Sequence, residues 1–109
     1  MSKITTHVLD TVFGKPAAGI TVSLDSRQGD AWHPAGSGVT DADGRCRDLV
    51  ESATAGIYRL TFATAEYFKQ NGHQSIYPEI SVTFICNGEA HFHLPLLLSA
   101  NSYTTYRGS

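Results

Sequence analysis

The 109-residue sequence has no long hydrophobic run. Nothing in it approaches the roughly 18 consecutive apolar residues that a membrane-spanning helix needs. The opening stretch "MSKITTHVLD" alternates polar and apolar residues and lacks the apolar core of about 7 to 15 residues that marks a signal peptide. A surplus of one charge is also missing. Lys and Arg number 8 against 10 Asp and Glu, with no block of either sign, so no electrostatic footprint for nucleic acid or for a membrane surface is visible. Cysteine is limited to Cys46 and Cys86; these form no C-x-x-C pair and allow one disulfide at most. Free thiols in a reducing compartment are the simpler expectation, and a cytoplasmic protein follows from it. Internal repeats and low-complexity segments are absent as well. The length bounds a single domain over residues 1–109, able to bury roughly 60 to 70% of its unfolded surface but too short for a second core. Its expected partner is a small molecule or further copies of itself.

What the sequence does contain is period-two alternation punctuated by turn residues, the pattern of an all-β sandwich or barrel. "KITTHVLD" sets Ile4, Thr6 and Val8 on one face of a strand and Thr5, His7 and Leu9 on the other. "GITVSLD" aligns Ile20, Val22 and Leu24. Residues 27–40 are rich in Gly, Pro and polar side chains and read as a long connection or a weak edge strand around Trp32. "DADGRC" reads as a tight turn, since Asp43-Gly44 suits positive backbone angles. "GIYRLTFAT" is a strand, and "ATAEYFKQNG" a short helix with Thr64 as N-cap and Gly72 as stop. "EISVTFICNGEAHFHLPLLLS" reads as a hairpin turning at Asn87-Gly88, with Pro95 requiring an edge position or a bulge. "SYTTYRG" supplies a last strand. Seven or eight strands and one helix predict a two-sheet Greek-key sandwich.

Histidines are the most informative polar residues. His91 and His93 project from one face of a strand, roughly 7 Å apart at about 3.3 Å rise per residue. With His7 they are the kind of set that builds a three-histidine zinc site, although no carboxylate flanks the pair. Taken singly, His91 reads as a solvent-facing strand residue and His7 as a hydrogen-bonded structural group. Arg45 after its turn reads as a solvated loop residue, and Arg107 as a surface ion-pair partner. His33 and His73 fall in loops.

Three blocks carry more. "THVLDTVFGKPAAGITVSL", "TDADGRC" and "HFHLPLLLSANSYTTYRGS", in this order and spanning nearly the whole chain, resemble the 5-hydroxyisourate hydrolase family, the transthyretin-related proteins of urate breakdown. The terminal Tyr-Arg-Gly-Ser is the most specific element. Where the family often has Ser-Pro and an aromatic, this chain has Ser99-Ala100-Asn101-Ser102, a departure that touches the turn before the last strand. The resemblance implies a transthyretin-like sandwich assembled as a homotetramer, a dimer of dimers with active sites at the dimer–dimer interface; the leucine run is a candidate for burial between subunits. It implies metal-free and cofactor-free hydrolysis of 5-hydroxyisourate, with His7, Arg45, His93 and Ser109 as catalytic residues and with His7, Arg45, Ser109 and Tyr106 contacting substrate. On this reading Ser109 forms a wall of the active site, and His91 is a bystander. A transthyretin-like carrier that binds a small ligand without turnover shares the implied fold and is the competing expectation, and a structural sandwich domain without a site is the third.

Overall fold

The computed structural model describes residues 1–108 and contains nine strands and one helix in two sheets. In order these are β1 (Ser2–Asp10), β2 (Lys15–Pro16), β3 (Thr21–Gln28), β4 (Ala31–Val39), β5 (Arg45–Ala53), β6 (Gly56–Phe62), α1 (Thr64–Gln70), β7 (Ile80–Cys86), β8 (His91–Leu98) and β9 (Tyr103–Thr105). One sheet runs β2-β1-β8-β9 with β5 also on β1, and the other runs β4-β3-β6-β7. The all-β sandwich with one short helix is thus as expected; the strand count exceeds seven or eight because β5 and the two-residue β2 are added.

β1 is the centre of the first sheet. It pairs in parallel with β8 from Lys3↔His91 to Asp10↔Leu98 and antiparallel with β5, where His7 faces Arg45. Alternation then sorts its residues. Ile4, Thr6 and Val8 are fully buried against the second sheet, and Thr5 and His7 face the other way with Lys3. The core between the sheets is completed by Val22, Leu24, Leu60, Phe62, Phe68, Ile80, Phe92, Leu94, Leu96 and Leu98. The leucine run therefore spends Leu94, Leu96 and Leu98 inside its own domain, which removes most of it as a candidate for burial between subunits.

The expected hairpin over residues 79–99 does not form. β7 pairs with β6 in one sheet and β8 with β1 in the other, so the Asn87-Gly88 turn carries the chain across the sandwich, with Gly88 at φ 87°. Residues 27–40 are less irregular than their composition implies: β4 pairs with β3 along its length, with a register shift near Pro34. Its glycines have a function there, because a Cβ at Gly36 would meet the Leu49 carbonyl and one at Gly38 would come within 2.6 Å of Cys46 Sγ. They let β5 lie close against β4. Pro95 sits inside β8 with its carbonyl turned away from β1 and accepting from Thr105 Oγ1 at 2.8 Å. Its missing N–H falls on that same side, just beyond the short β9, so the ladder to β1 stays intact.

Thr64 is the first helical residue and not the cap; Ala63 holds the cap position without a side-chain hydrogen bond. The helix is anchored instead by packing of Phe68 and by Tyr67, whose hydroxyl donates to Asp10 Oδ2 at 2.6 Å. Asp10 is 1% exposed and also accepts from Val12 and Phe13 N–H through Oδ1. Burial first, and then the Asp10 carboxylate, pushes the Tyr67 phenol well above its usual range. Tyr67→Phe leaves this buried carboxylate one donor short and is expected to destabilise the fold by about 1–3 kcal/mol, read as a lower urea midpoint at unchanged slope.

Cys46 and Cys86 are both buried and free, and desolvation raises the Cys46 thiol pKa. Among the described residues no helix is long and apolar enough to cross a membrane.

Candidate active site

Seven side chains come to one outward face of the β1 sheet because β1, β8 and the first residues of β5 alternate in step. β1 presents Lys3, Thr5 and His7; β5 presents Arg45 and Arg47; β8 presents His91 and His93. The registers Lys3↔His91, Thr5↔His93 and His7↔Arg45 set them side by side. An open pocket of about 330 Å³ is lined by Lys3, Thr5, Thr6, Arg45, Arg47, His91 and His93. His7 stands beside that lining, next to Arg45 on the neighbouring strand. Without a single large basic block in the sequence, the fold thus concentrates three cations and three imidazoles on one surface.

Arg45 owes its position to the turn before β5. Asp41 Oδ1 accepts from the N–H groups of Asp43 and Arg45 at 2.9 and 3.0 Å, and Gly44 takes φ 76°. The backbone bond to Arg45 is the main reason the Asp41 carboxyl sits below its usual pKa. The turn docks on β1 through Val8 N–H to the Gly44 carbonyl at 2.8 Å. A Cβ at Gly44 would run into the Val8 carbonyl, so glycine is needed twice over, for its angle and for this close approach.

His7 Nε2 lies 2.9 Å from the Asp43 carbonyl. A carbonyl oxygen only accepts, so Nε2 carries the proton and neutral His7 presents Nδ1 as its bare nitrogen. His93 is held the other way round, with Nδ1 at 2.7 Å from Thr5 Oγ1, which leaves Nε2 for the site. The same hydroxyl is 2.8 Å from His91 Nε2. Desolvation, then the charge of Arg45, then His91 and His7, lower the His93 pKa below the ordinary imidazole value.

The C-terminal segment closes over His93. Gly108 N–H donates to the His93 carbonyl at 2.9 Å, and a Cβ on Gly108 would stand 2.7 Å from His93 Cδ2 and 3.2 Å from Pro95. Only glycine fits this clasp. Arg107 pairs with Glu89 at 3.2 Å and lies over the Phe92 ring, 5.2 Å from its centroid; it is the surface ion-pair partner anticipated above. Tyr106 is 51% exposed and outside the pocket lining. Ser109 lies outside the described residues. The unusual Ser99–Ser102 segment still makes its turn, through Ser99 N–H to the Ser102 carbonyl at 2.9 Å, and Ile76 N–H and Ser75 Oγ hold the Ala100 carbonyl from the neighbouring loop.

Of the predicted site residues, His7, Arg45 and His93 are brought together. Thr5, Lys3 and Arg47 were not anticipated. Thr5 and Lys3 share the face of His7 by simple alternation, a signal the sequence did hold, while Arg47 could be placed only once β5 was known to be a strand. Among the described residues no group of three or more His, Cys, Asp and Glu side chains is placed to hold a metal ion.

The same arrangement invites comparison with known proteins. The model of the HIUase/Transthyretin family matches residues 4–108. A relative named 5-hydroxyisourate hydrolase from Caulobacter vibrioides is 44% identical, with all of both chains aligned. The solved structure of Klebsiella pneumoniae 5-hydroxyisourate hydrolase superposes with a TM-score of 0.89 at 41% identity, covering 100% of each chain. Transthyretin from Sparus aurata superposes with a TM-score of 0.92 at 32% identity, covering 97% of this chain and 96% of its own. Backbone shape does not separate the two neighbours, and sequence identity is higher with the hydrolase. Both share the same two-sheet frame around β1 and β8, and with a match that runs from the first strand to the C-terminal clasp, the chain belongs to the HIUase/Transthyretin family.

Proposed function

We propose that this chain hydrolyses 5-hydroxyisourate to 2-oxo-4-hydroxy-4-carboxy-5-ureidoimidazoline in urate degradation. The observation that carries the reading is the convergence of His7, Arg45 and His93 on one pocket face, in a chain whose near relatives bear the hydrolase name. Water attacks a ring carbonyl. His93, kept neutral by its surroundings, takes the water proton on Nε2, and the oxygen adds to the carbonyl carbon. The C–N bond then breaks, and the departing nitrogen takes a proton from His7, which as the acid carries it on Nδ1 while Nε2–H stays on the Asp43 carbonyl. Arg45 meets the developing oxyanion with a planar fork of donors. Ser109 and Tyr106 complete the substrate contacts in this reading.

The pocket is open on the chain's own surface, and its cationic, imidazole-lined face suits a polar, electron-rich heterocycle more than an apolar hormone. That favours turnover over the carrier reading. A second pair of subunits closing over it, in a homotetramer built as a dimer of dimers, would supply the missing wall. The two buried free thiols support a reducing, cytoplasmic setting.

The deciding experiment follows the ultraviolet absorbance of freshly made 5-hydroxyisourate. Purified protein is expected to accelerate its decay over the spontaneous rate, with activity retained in chelator. No acceleration, with ligand retained unchanged, would favour the carrier. Loss in chelator with recovery on zinc would favour a metallohydrolase.

A further inference from the structure

His91 has no part in the hydrolysis described above, yet it shares a hydrogen-bond partner with His93. Thr5 is 6% exposed, and its hydroxyl stands between the two imidazoles, 2.8 Å from His91 Nε2 and 2.7 Å from His93 Nδ1. Their ring centroids are 6.0 Å apart. A hydroxyl carries one proton, and among the described residues this one has no third partner. Accepting from both rings would leave that buried O–H without a partner, at a cost, so it donates to one ring and accepts from the other. The two rings cannot choose their tautomers independently.

Two arrangements satisfy all three groups. In the first, His93 Nδ1–H donates to Thr5, and the Thr5 O–H donates to His91 Nε2, so His93 Nε2 is bare. In the second, His91 Nε2–H donates to Thr5 and Thr5 donates to His93 Nδ1. The His93 proton then sits on Nε2, and the ring cannot act as a base there. The electrostatics choose between them. Lys3, Arg45 and Arg47 line the pocket with His93, and His7 stands beside it. A lone pair turned toward these cations is favourable and an N–H is not. His91 is exposed, so its Nδ1 proton can be solvated by water.

We propose that Thr5 and His91 are positioning residues that hold the resting proton of His93 on Nδ1 through a His93–Thr5–His91 chain, keeping Nε2 free as the hydrolytic base. This deepens the hydrolase reading and rests on it for its catalytic consequence. His91 changes from bystander to the terminal acceptor of the chain.

The test is long-range ¹H–¹⁵N correlation of the histidine rings in the intact protein at about pH 8, above the ordinary imidazole pKa of about 6.5. In the wild type the His93 proton is expected on Nδ1. Thr5→Val, nearly isosteric and well suited to a strand, is expected to release His93 into a mixture of tautomers. Thr5→Ser keeps the hydroxyl and retains the wild-type pattern. His91→Phe, at an exposed position, leaves the hydroxyl only His93 to donate to and is expected to shift His93 toward Nε2–H. In parallel, Thr5→Val is expected to lower kcat by about 10- to 100-fold, the scale seen when the partner that orients a metal-bound imidazole is removed, with KM within about twofold. A wild-type His93 protonated on Nε2, or a tautomer unchanged in either Thr5→Val or His91→Phe, would overturn the proposal. The expected tautomer pattern in a protein that fails to open 5-hydroxyisourate would instead remove the hydrolase reading alone.

Discussion

His93→Asn is expected to cut kcat on 5-hydroxyisourate by about two to four orders of magnitude, the usual contribution of a positioned general base. The substitution removes the bare nitrogen but keeps a side chain of similar size against Gly108 and Thr5. KM should move far less, because the loss falls on the step in which water gives up its proton. The wild-type pH profile supplies an independent check. Burial and the neighbouring Arg45 depress the His93 pKa, so the neutral base persists to lower pH than a free imidazole would. The acidic limb of kcat/KM, which reports the free enzyme, should therefore have its midpoint below about 6.5. A midpoint above that value would show that the limb belongs to another group.

Arg45→Gln should be nearly as damaging, with a loss in kcat of about 10² to 10³ typical of removing an oxyanion donor and a raised KM in addition. The guanidinium is asked to bind the carbonyls of the ground state and the charge of the transition state at once, so both parameters suffer. It also has an effect at a distance. Arg45 is the largest charge-based cause of the His93 shift; its removal should carry the acidic limb upward, toward the ordinary imidazole value. Steady-state kinetics across pH on wild type and variant test both effects together. An acidic limb that stays where it was would separate Arg45 from His93 and confine it to substrate binding.

The strands with strict alternation were readable because one buried face leaves a period-two trace, as in β1 and β6. β5 leaves no such trace, for a physical reason. Its register against β1 shifts twice, between Ser2 and Ile4 and between Ile4 and Thr6, so its buried residues Cys46, Leu49 and Ala53 do not alternate. The Asn87-Gly88 turn was recognised, but its chemistry is the same whether the following strand returns beside its neighbour or crosses to the other sheet. Partner choice depends on the whole core and has no local signature. In the site, His7, Arg45 and His93 were named through family resemblance, since spacing alone left His91 and His93 equivalent. Thr5 has no local signature, since a threonine is ordinary in a strand until the Thr5↔His93 register places it between two imidazoles.

The parallel pairing of β1 with β8 also has a kinetic meaning. Thr5 and His93 are 88 positions apart, so the pocket requires closure of most of the chain into one loop. Contacts of such long range are slow to form, and the entropy of closing the loop is lost before the contacts that reward it are made. The second sheet, whose neighbours β3, β4, β6 and β7 are joined by shorter connections, can assemble without any of the catalytic groups meeting. Hydrolysis should accordingly be absent from every partly folded form, and its recovery during refolding would time the docking of the last strands onto the first.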